Sequence, residues 1–180
     1  VSALEAKLQK AKQINRLPKI VVPVHFGGLP ADMAEIRQLS HKYGFAIIED
    51  ASHAIGASYL NDKVGGCKFA DITVFSFHPV KIITSGEGGM AVTNDPELAK
   101  KMGLFRSHGI TRDPAMMKES SHGRWYYEQV ELGFNYRMTD IHAALGLSQF
   151  AKLDNFVSRR NQIAEYYDRQ FQDLPLSVQY

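Results

Sequence analysis

Residues 32–50 read DMAEIRQLSHKYGFAIIED, and the two halves of this stretch follow different periods. Met33, Ile36 and Leu39 recur at helical spacing after Asp32, and Gly44 stands where a helix is terminated. Phe45–Ile48 is then a short apolar run of strand character. A helix over 32–43 feeding a buried strand over 45–48 is therefore predicted. The same unit precedes it: Leu4, Leu8 and Ala11 place a helix over Ser2–Gln13, and Lys19–Val24 (KIVVPV) is a β-branched run of the kind buried in a parallel sheet. Downstream, Ile72–Phe77 and Met90–Thr93 are strands separated by a glycine-rich turn, and Pro96–Phe105 restarts a helix. The alternation predicts a mostly parallel α/β sheet with helices packed on its faces, in one layered domain. Between His108 and Glu131 the periodicity fails and a long surface loop is expected. Thr139 is read as the N-cap of a helix reaching about Leu153, and Asn155–Phe171 as a second, longer helix.

With 180 residues, 44% of them hydrophobic, the chain can bury one sizeable core. Its 21 basic and 19 acidic residues leave a formal charge of +2 with no long block of one sign, which argues against a nucleic-acid partner or an anionic membrane surface. Cys67 stands alone, so no internal disulfide is possible, and it reads as a small buried apolar residue. No apolar run approaches the roughly 20 residues that span a bilayer. A cytoplasmic location fits these features. A helix begins almost at Val1, and Tyr180 follows closely on another, so the chain is expected to be part of a longer protein.

In open α/β sheets, ligands collect beyond the carboxyl ends of the strands. Two polar segments fall there: Glu49-Asp50-Ala51-Ser52-His53 and Ser76-Phe77-His78-Pro79-Val80-Lys81. Each has an ordinary reading, Asp50 as a turn or cap residue, His53 as a loop histidine and Lys81 as a solvated surface lysine. Together they match what a pyridoxal-phosphate (PLP) site requires. A carboxylate such as Asp50 keeps the pyridine nitrogen protonated, so that the ring acts as an electron sink. A lysine such as Lys81 binds the cofactor covalently and shuttles the proton. Ser76, at a strand end five residues before the lysine, can donate to a phosphate or be only a polar strand residue. Gly86-Glu87-Gly88-Gly89 lacks the Lys-Ser or Lys-Thr of a P-loop and is read as a turn. The seven histidines show no paired metal-ligand spacing, so no metal site is expected. Trp125, Tyr126 and Tyr127 could pack ordinarily or stack on a sugar or uracil ring.

The stretch from Glu49 to Asn94, EDASHAIGA through GCKFADITVFSFHPVKIITSGEGGMAVTN, resembles the signature of the DegT/DnrJ/EryC1/StrS sugar aminotransferases, and Gly133–Ile141 (GFNYRMTDI) resembles a second block of that family. The wording HFGGLPADM, RSHGITRD and WYYEQVELGFNYR is most similar to the branch serving pseudaminic-acid synthesis. The resemblance implies the three-layer α/β/α large domain of the fold type I, aspartate-aminotransferase-like PLP enzymes. Residues 1–180 would be part of that domain, with 150–180 a long helix leading toward a smaller C-terminal domain. It implies Lys81 as the Schiff-base lysine, Asp50 as the ring-nitrogen partner, His53 beside the ring 3-hydroxyl and Ser76 on the phosphate. Asn135 would reach the phosphate of a neighbouring subunit in a homodimer with shared active sites, while Tyr136 and Arg137 would line the substrate side. From the residue alone, Asn135 is equally a turn residue tolerant of the left-handed conformation. The implied reaction moves an amino group from an amino acid, glutamate, to C4 of a UDP-linked 4-keto-6-deoxy hexose. The residues as given are expected to bind PLP poorly and to turn over little or nothing without the rest of the protein. Two rival readings are a PLP sugar dehydratase, in which the lysine is replaced by histidine, and a non-catalytic regulator, which would be expected to lose the Lys81–Asp50 pair.

Overall fold

The computed structural model describes residues 1–177; the last part of the expected 150–180 stretch, from 178 on, lies outside the described residues. Helix α1 spans Ser2–Gln13 and α2 spans Met33–Tyr43. Gly44 ends α2 in the left-handed conformation, φ +75°, and returns its N–H to the Ser40 carbonyl, a geometry that any Cβ would strain. Each helix is followed by a strand, β1 (Ile20–Val21) and β2 (Ala46–Asp50), and the two pair in parallel with Ile20 opposite Ala46. Farther along, Val24 bridges to Asp50. A small hairpin of β3 (Ser58–Tyr59) and β4 (Asp62–Lys63) leads to β5 (Ile72–Ser76) and β6 (Gly89–Val92).

The main sheet has the order β1-β2-β5-β6. Its first three strands are parallel, whereas β6 returns antiparallel to β5 with Ser76 opposite Gly89. No helix intervenes between those last two strands, so the crossover that a parallel pair needs is missing. Helix α3 (Pro96–Arg106) begins at Asp95, whose carboxylate accepts the Glu97 and Leu98 N–H groups. The stretch after it is less irregular than expected, because β7 (Ile110–Thr111) and β8 (Glu128–Gln129) pair antiparallel across it. Helices α4 (Asp140–Phe150) and α5 (Leu153–Phe171) close the chain, and Thr139 caps α4 through its hydroxyl as expected.

Alternation along the strands sorts the sheet into two unlike faces. One carries Ile47, Glu49, Thr73 and Phe75, all buried. Near Ile47 it packs against Leu8 of α1 and Met33, Ile36 and Leu39 of α2. Near Phe75 it packs with Phe77, Ile83 and Leu153 of α5. The other face carries Ile48, Asp50, Val74 and Ser76, and its outermost strand region leaves Ile20, Val22 and Val24 half-exposed at 50–53%. The two residues singled out for cofactor chemistry at the strand ends, Asp50 and Ser76, therefore share the less covered face.

Asp71 sets where β2 and β5 meet. Its carboxylate accepts two hydrogen bonds from the Arg37 guanidinium of α2, at 3.1 and 3.3 Å from Nη1, a third from Nη2 at 3.1 Å, and the Ile47 N–H at 2.7 Å. Burial pushes its pKa up, but the Ile47 amide and Arg37 outweigh burial and hold it below the ordinary aspartate value. Asp71→Ala is expected to lower the unfolding free energy by about 1–3 kcal/mol in a urea titration at neutral pH, since it strands a backbone donor and a guanidinium. The folded pKa is depressed, so this contribution is present above the unfolded value of about 3.9 and disappears as pH falls through the folded one. The acid limb of the stability curve should be correspondingly shallower in the variant.

Candidate active site

Asp50 is the last residue of β2, and both of its peptide groups are held by the chain just past β1. Its N–H donates to the Pro23 carbonyl at 2.9 Å, and its own carbonyl accepts the His25 N–H at 3.0 Å. Because β2 ends here, the side chain turns back on the following residues and Oδ1 accepts the Ser52 N–H at 3.0 Å. The Asp50 carboxyl is held below its ordinary pKa, chiefly by a hydrogen bond from the Ser52 side chain. Partial burial opposes this, and the Ser52 amide and the charges of His53 and Lys81 reinforce it. Asp50 is thus a carboxylate over the whole neutral range, with two cationic or polar partners of the expected set beside it.

His53 lies on the turn after β2 and accepts the Gly27 N–H on Nδ1 at 3.3 Å. With Nδ1 occupied as an acceptor, the neutral ring carries its proton on Nε2 and presents a donor on the other side. The Phe26 ring sits 5.8 Å away, tilted by 57°. Close approach of this Phe26-Gly27-Gly28 turn depends on glycine. Gly28 has φ +89°, and a Cβ there would stand 3.0 Å from the His53 carbonyl oxygen.

Lys81 follows the strand end of β5 through a tight turn in which its N–H donates to the His78 carbonyl at 3.0 Å and His78 Nδ1 accepts the Val80 N–H at 3.2 Å. Ser76, at the end of β5, accepts the His78 N–H on Oγ at 3.4 Å. Among the described residues, no carboxylate lies within ion-pair distance of the Lys81 amine, and no side chain or backbone group accepts a hydrogen bond from it. It opens on a cavity of about 770 Å³ that is also lined by His53, Gly27, Gly28, Lys63 and Arg160. That size lies within the usual ligand-pocket range of about 300–1,000 Å³.

The structure thus brings Lys81 and His53 to one cavity, with Asp50 beside them within electrostatic reach. Ser76 lies on the Asp50 face of the sheet but does not line the cavity. Asn135, Tyr136 and Arg137 are not brought to this cluster. They are exposed on a segment tied to the end of α3, where Asn135 bridges Ser107, the Tyr136 N–H donates to the Arg106 carbonyl, and the Tyr136 ring stacks on Phe134. Trp125 and Tyr127 are exposed as well, while the Tyr126 hydroxyl donates to Glu128. Cys67 is half-buried rather than buried, at φ +52° with Sγ 3.4 Å from the Thr73 hydroxyl. Among the described residues no group of three or more His, Cys, Asp or Glu could hold a metal ion.

Sequence reasoning overlooked Ser52, the Gly27–Gly28 turn and Arg160. Asp-x-Ser after a strand is a turn pattern, and paired glycines after β1 mark close backbone approach, so two of these three had a readable signal. Arg160 had none, because its place depends on how α5 returns over the sheet.

The chain belongs to the DegT/DnrJ/EryC1/StrS aminotransferase family, whose model matches residues 2–180. Among curated relatives it is 44% identical over 172 residues to the UDP-4-amino-4,6-dideoxy-N-acetyl-beta-L-altrosamine transaminase of Campylobacter jejuni, covering 96% of this chain and 42% of that protein. Among solved structures it superimposes with a TM-score of 0.81 and 40% identity on Helicobacter pylori PseC, an aminotransferase involved in the biosynthesis of pseudoaminic acid, over 94% of this chain and 43% of that one. It also matches Spr1654 of Streptococcus pneumoniae, a proposed sugar aminotransferase solved in PLP and PMP forms; for the PMP form the TM-score is 0.73 at 30% identity, over 86% of this chain and 43% of the other. The expected fold class is therefore the one observed, an α/β chain matching the large-domain portion of PLP aminotransferases. The chain spans about two-fifths of the length of the relatives it matches. Among the described residues no helix is long and apolar enough to cross a membrane.

The chemistry of the residues present fits PLP: a lysine amine without a partner among the described residues and a histidine lie on one cavity, with a carboxylate held ionised beside them. Ser52 is the group that tunes the carboxylate. In Ser52→Ala, a carbon-13 NMR titration of the Asp50 carboxyl is expected to show its midpoint rising toward the ordinary aspartate value, while the Asp71 midpoint stays where it was.

Proposed function

We propose that this protein is a PLP-dependent aminotransferase that carries an amino group from glutamate to C4 of a UDP-linked 4-keto-6-deoxy hexose. It would act in the cytoplasm, in the synthesis of surface-glycan sugars such as pseudaminic acid. The observation that carries the reading is the Lys81 amine, without a partner among the described residues, on one cavity with His53 and beside the Asp50 carboxylate. The name of the Campylobacter relative supports a nucleotide-sugar substrate, and that of the Helicobacter structure supports a place in pseudaminic-acid synthesis.

When bound, PLP supplies an electron sink that stabilises the carbanion formed as the donor loses its α-proton. Lys81 would hold the cofactor covalently, Asp50 would keep its ring nitrogen protonated, and His53 Nε2–H would donate to its 3-hydroxyl oxygen. Ser76, and Asn135 of a second subunit in a homodimer, would bind its phosphate. This division fits the placement of Asn135 on an exposed segment away from Lys81. The Lys81 amine would take the proton from Cα of the donor and, in the second half of a ping-pong cycle, would deliver a proton to C4 of the sugar. Residues 1–180 would form part of the cofactor-binding large domain, with α5 leading toward a smaller domain.

Borohydride reduction of the protein incubated with PLP, followed by peptide mass spectrometry, is expected to find the pyridoxyl group on Lys81. Lys81→Ala should lose that label and drop turnover by about 10²–10⁴-fold, the usual worth of a positioned proton-transfer group. A label on another lysine would sink the assignment.

A further inference from the structure

Glu49 precedes Asp50 in β2 and, by alternation, points to the opposite, helix-covered face of the sheet. It is only 7% exposed, and no cavity containing Lys81 reaches it. A buried carboxylate costs several kcal/mol unless it is fully hydrogen-bonded, and this one is. Oε1 accepts the His25 Nε2–H at 2.9 Å, and Oε2 accepts the Thr73 hydroxyl at 2.5 Å. Burial pushes the Glu49 pKa up, but the hydrogen bonds from His25 and Thr73 prevail and keep it ionised, with the Gly65 amide adding to them. His25 itself is fully buried. Its Nδ1 accepts the Ala31 N–H at 3.1 Å, which leaves the ring proton on Nε2, facing Glu49.

These contacts close a ring around Asp50. The His25 ring is bound to Glu49, and the His25 N–H is bound to the Asp50 carbonyl. Thr73 joins the same carboxylate from β5, and the next residue of that strand, Val74, accepts the Ala51 N–H through its carbonyl at 2.8 Å. The peptide before Asp50 is therefore held by the chain just past β1, and the peptide after it is held from there and from β5 at once. Replacing a buried charged network with apolar residues of similar volume is often neutral or stabilising, so cohesion alone is a weak reason for a carboxylate here.

We propose that His25, Glu49 and Thr73 form a buried clamp that positions Asp50 for its contact with the cofactor ring. The clamp acts through Asp50 and rests on the reading of Asp50 as the ring-nitrogen partner. Glu49→Gln keeps the shape but removes the charge: its carbonyl oxygen can still accept the His25 Nε2–H, while its NH₂ has to donate to the Thr73 oxygen, which reverses that hydrogen bond and leaves neither bond charge-assisted.

The test is a set of PLP dissociation constants by absorbance titration, with circular dichroism and urea midpoints confirming that each variant is folded. It covers the unaltered protein, Glu49→Gln, Asp50→Asn and the double variant. Glu49→Gln is expected to weaken PLP binding about 10-fold, the lower end of what loss of an outer partner costs a ligating residue. In the Asp50→Asn background the same change should cost less than about twofold, because there is no longer a carboxylate to position. Thr73→Val should weaken binding in the same background-dependent way, and Thr73→Ser should restore it. An equal loss in both backgrounds would show a general structural effect and overturn the clamp while leaving Asp50 in place. Unchanged affinity in Asp50→Asn would overturn the role of Asp50, and the clamp with it.

Discussion

Everything at the candidate site hangs on how β2 ends. A strand presents successive side chains to opposite faces, so Glu49 and Asp50, adjacent in the chain, cannot serve the same environment. One enters the packed layer between the sheet and its helices, and the other faces the less covered side where a ligand can approach. The pairing of β2 with both β1 and β5 fixes this sorting, since a slip of one residue in register would exchange the two carboxylates and bury the wrong one. Asp71, by holding the Ile47 amide and Arg37 together, guards that register at the opposite end of the strand.

The electrostatics follow from the same arrangement. Three carboxylates, Glu49, Asp50 and Asp71, sit on or beside the two central strands, and each is held below its ordinary pKa by local donors. Lys81 differs from them in having no partner among the described residues, so its amine is not committed to an ion pair. Around it the cavity lining adds Lys63 and Arg160 and, among the described residues, no Asp or Glu. A cleft with that balance favours anionic molecules.

Much of this was legible in the chain itself, for identifiable reasons. The α1–β1 and α2–β2 units could be read because Met33, Ile36 and Leu39 keep helical period and Gly44 stops it, and these signals do not depend on tertiary context. Asp50 and Lys81 could be placed at strand ends for the same reason. The β3–β4 hairpin could not, because its turn puts Leu60 at φ +48° next to Asn61 at φ +67°, and a leucine there gives no turn signal. The β7–β8 pair was hidden by strands too short to show a period. The antiparallel direction of β6 was open to reading from the lack of a helix before it, but strand composition outweighed connectivity. Nothing in the residues told which segments beyond 130 approach Lys81, since that is decided by packing over long separations.

The turn-back of β6 onto β5 has a kinetic side. The loop bearing Lys81 leaves β5 and rejoins the sheet at β6, and it is closed at its base where the Phe77 N–H meets the Gly88 carbonyl and the Ser85 N–H meets the Phe77 carbonyl. Neighbouring antiparallel strands are the most local pairing in the sheet, and such pairings form on a scale of roughly 1–10 μs. The parallel contacts of β1, β2 and β5 require much longer chain segments to close before they gain anything. The lysine loop therefore belongs to the part of this chain that can take shape first during folding, ahead of the parallel pairing that places Asp50.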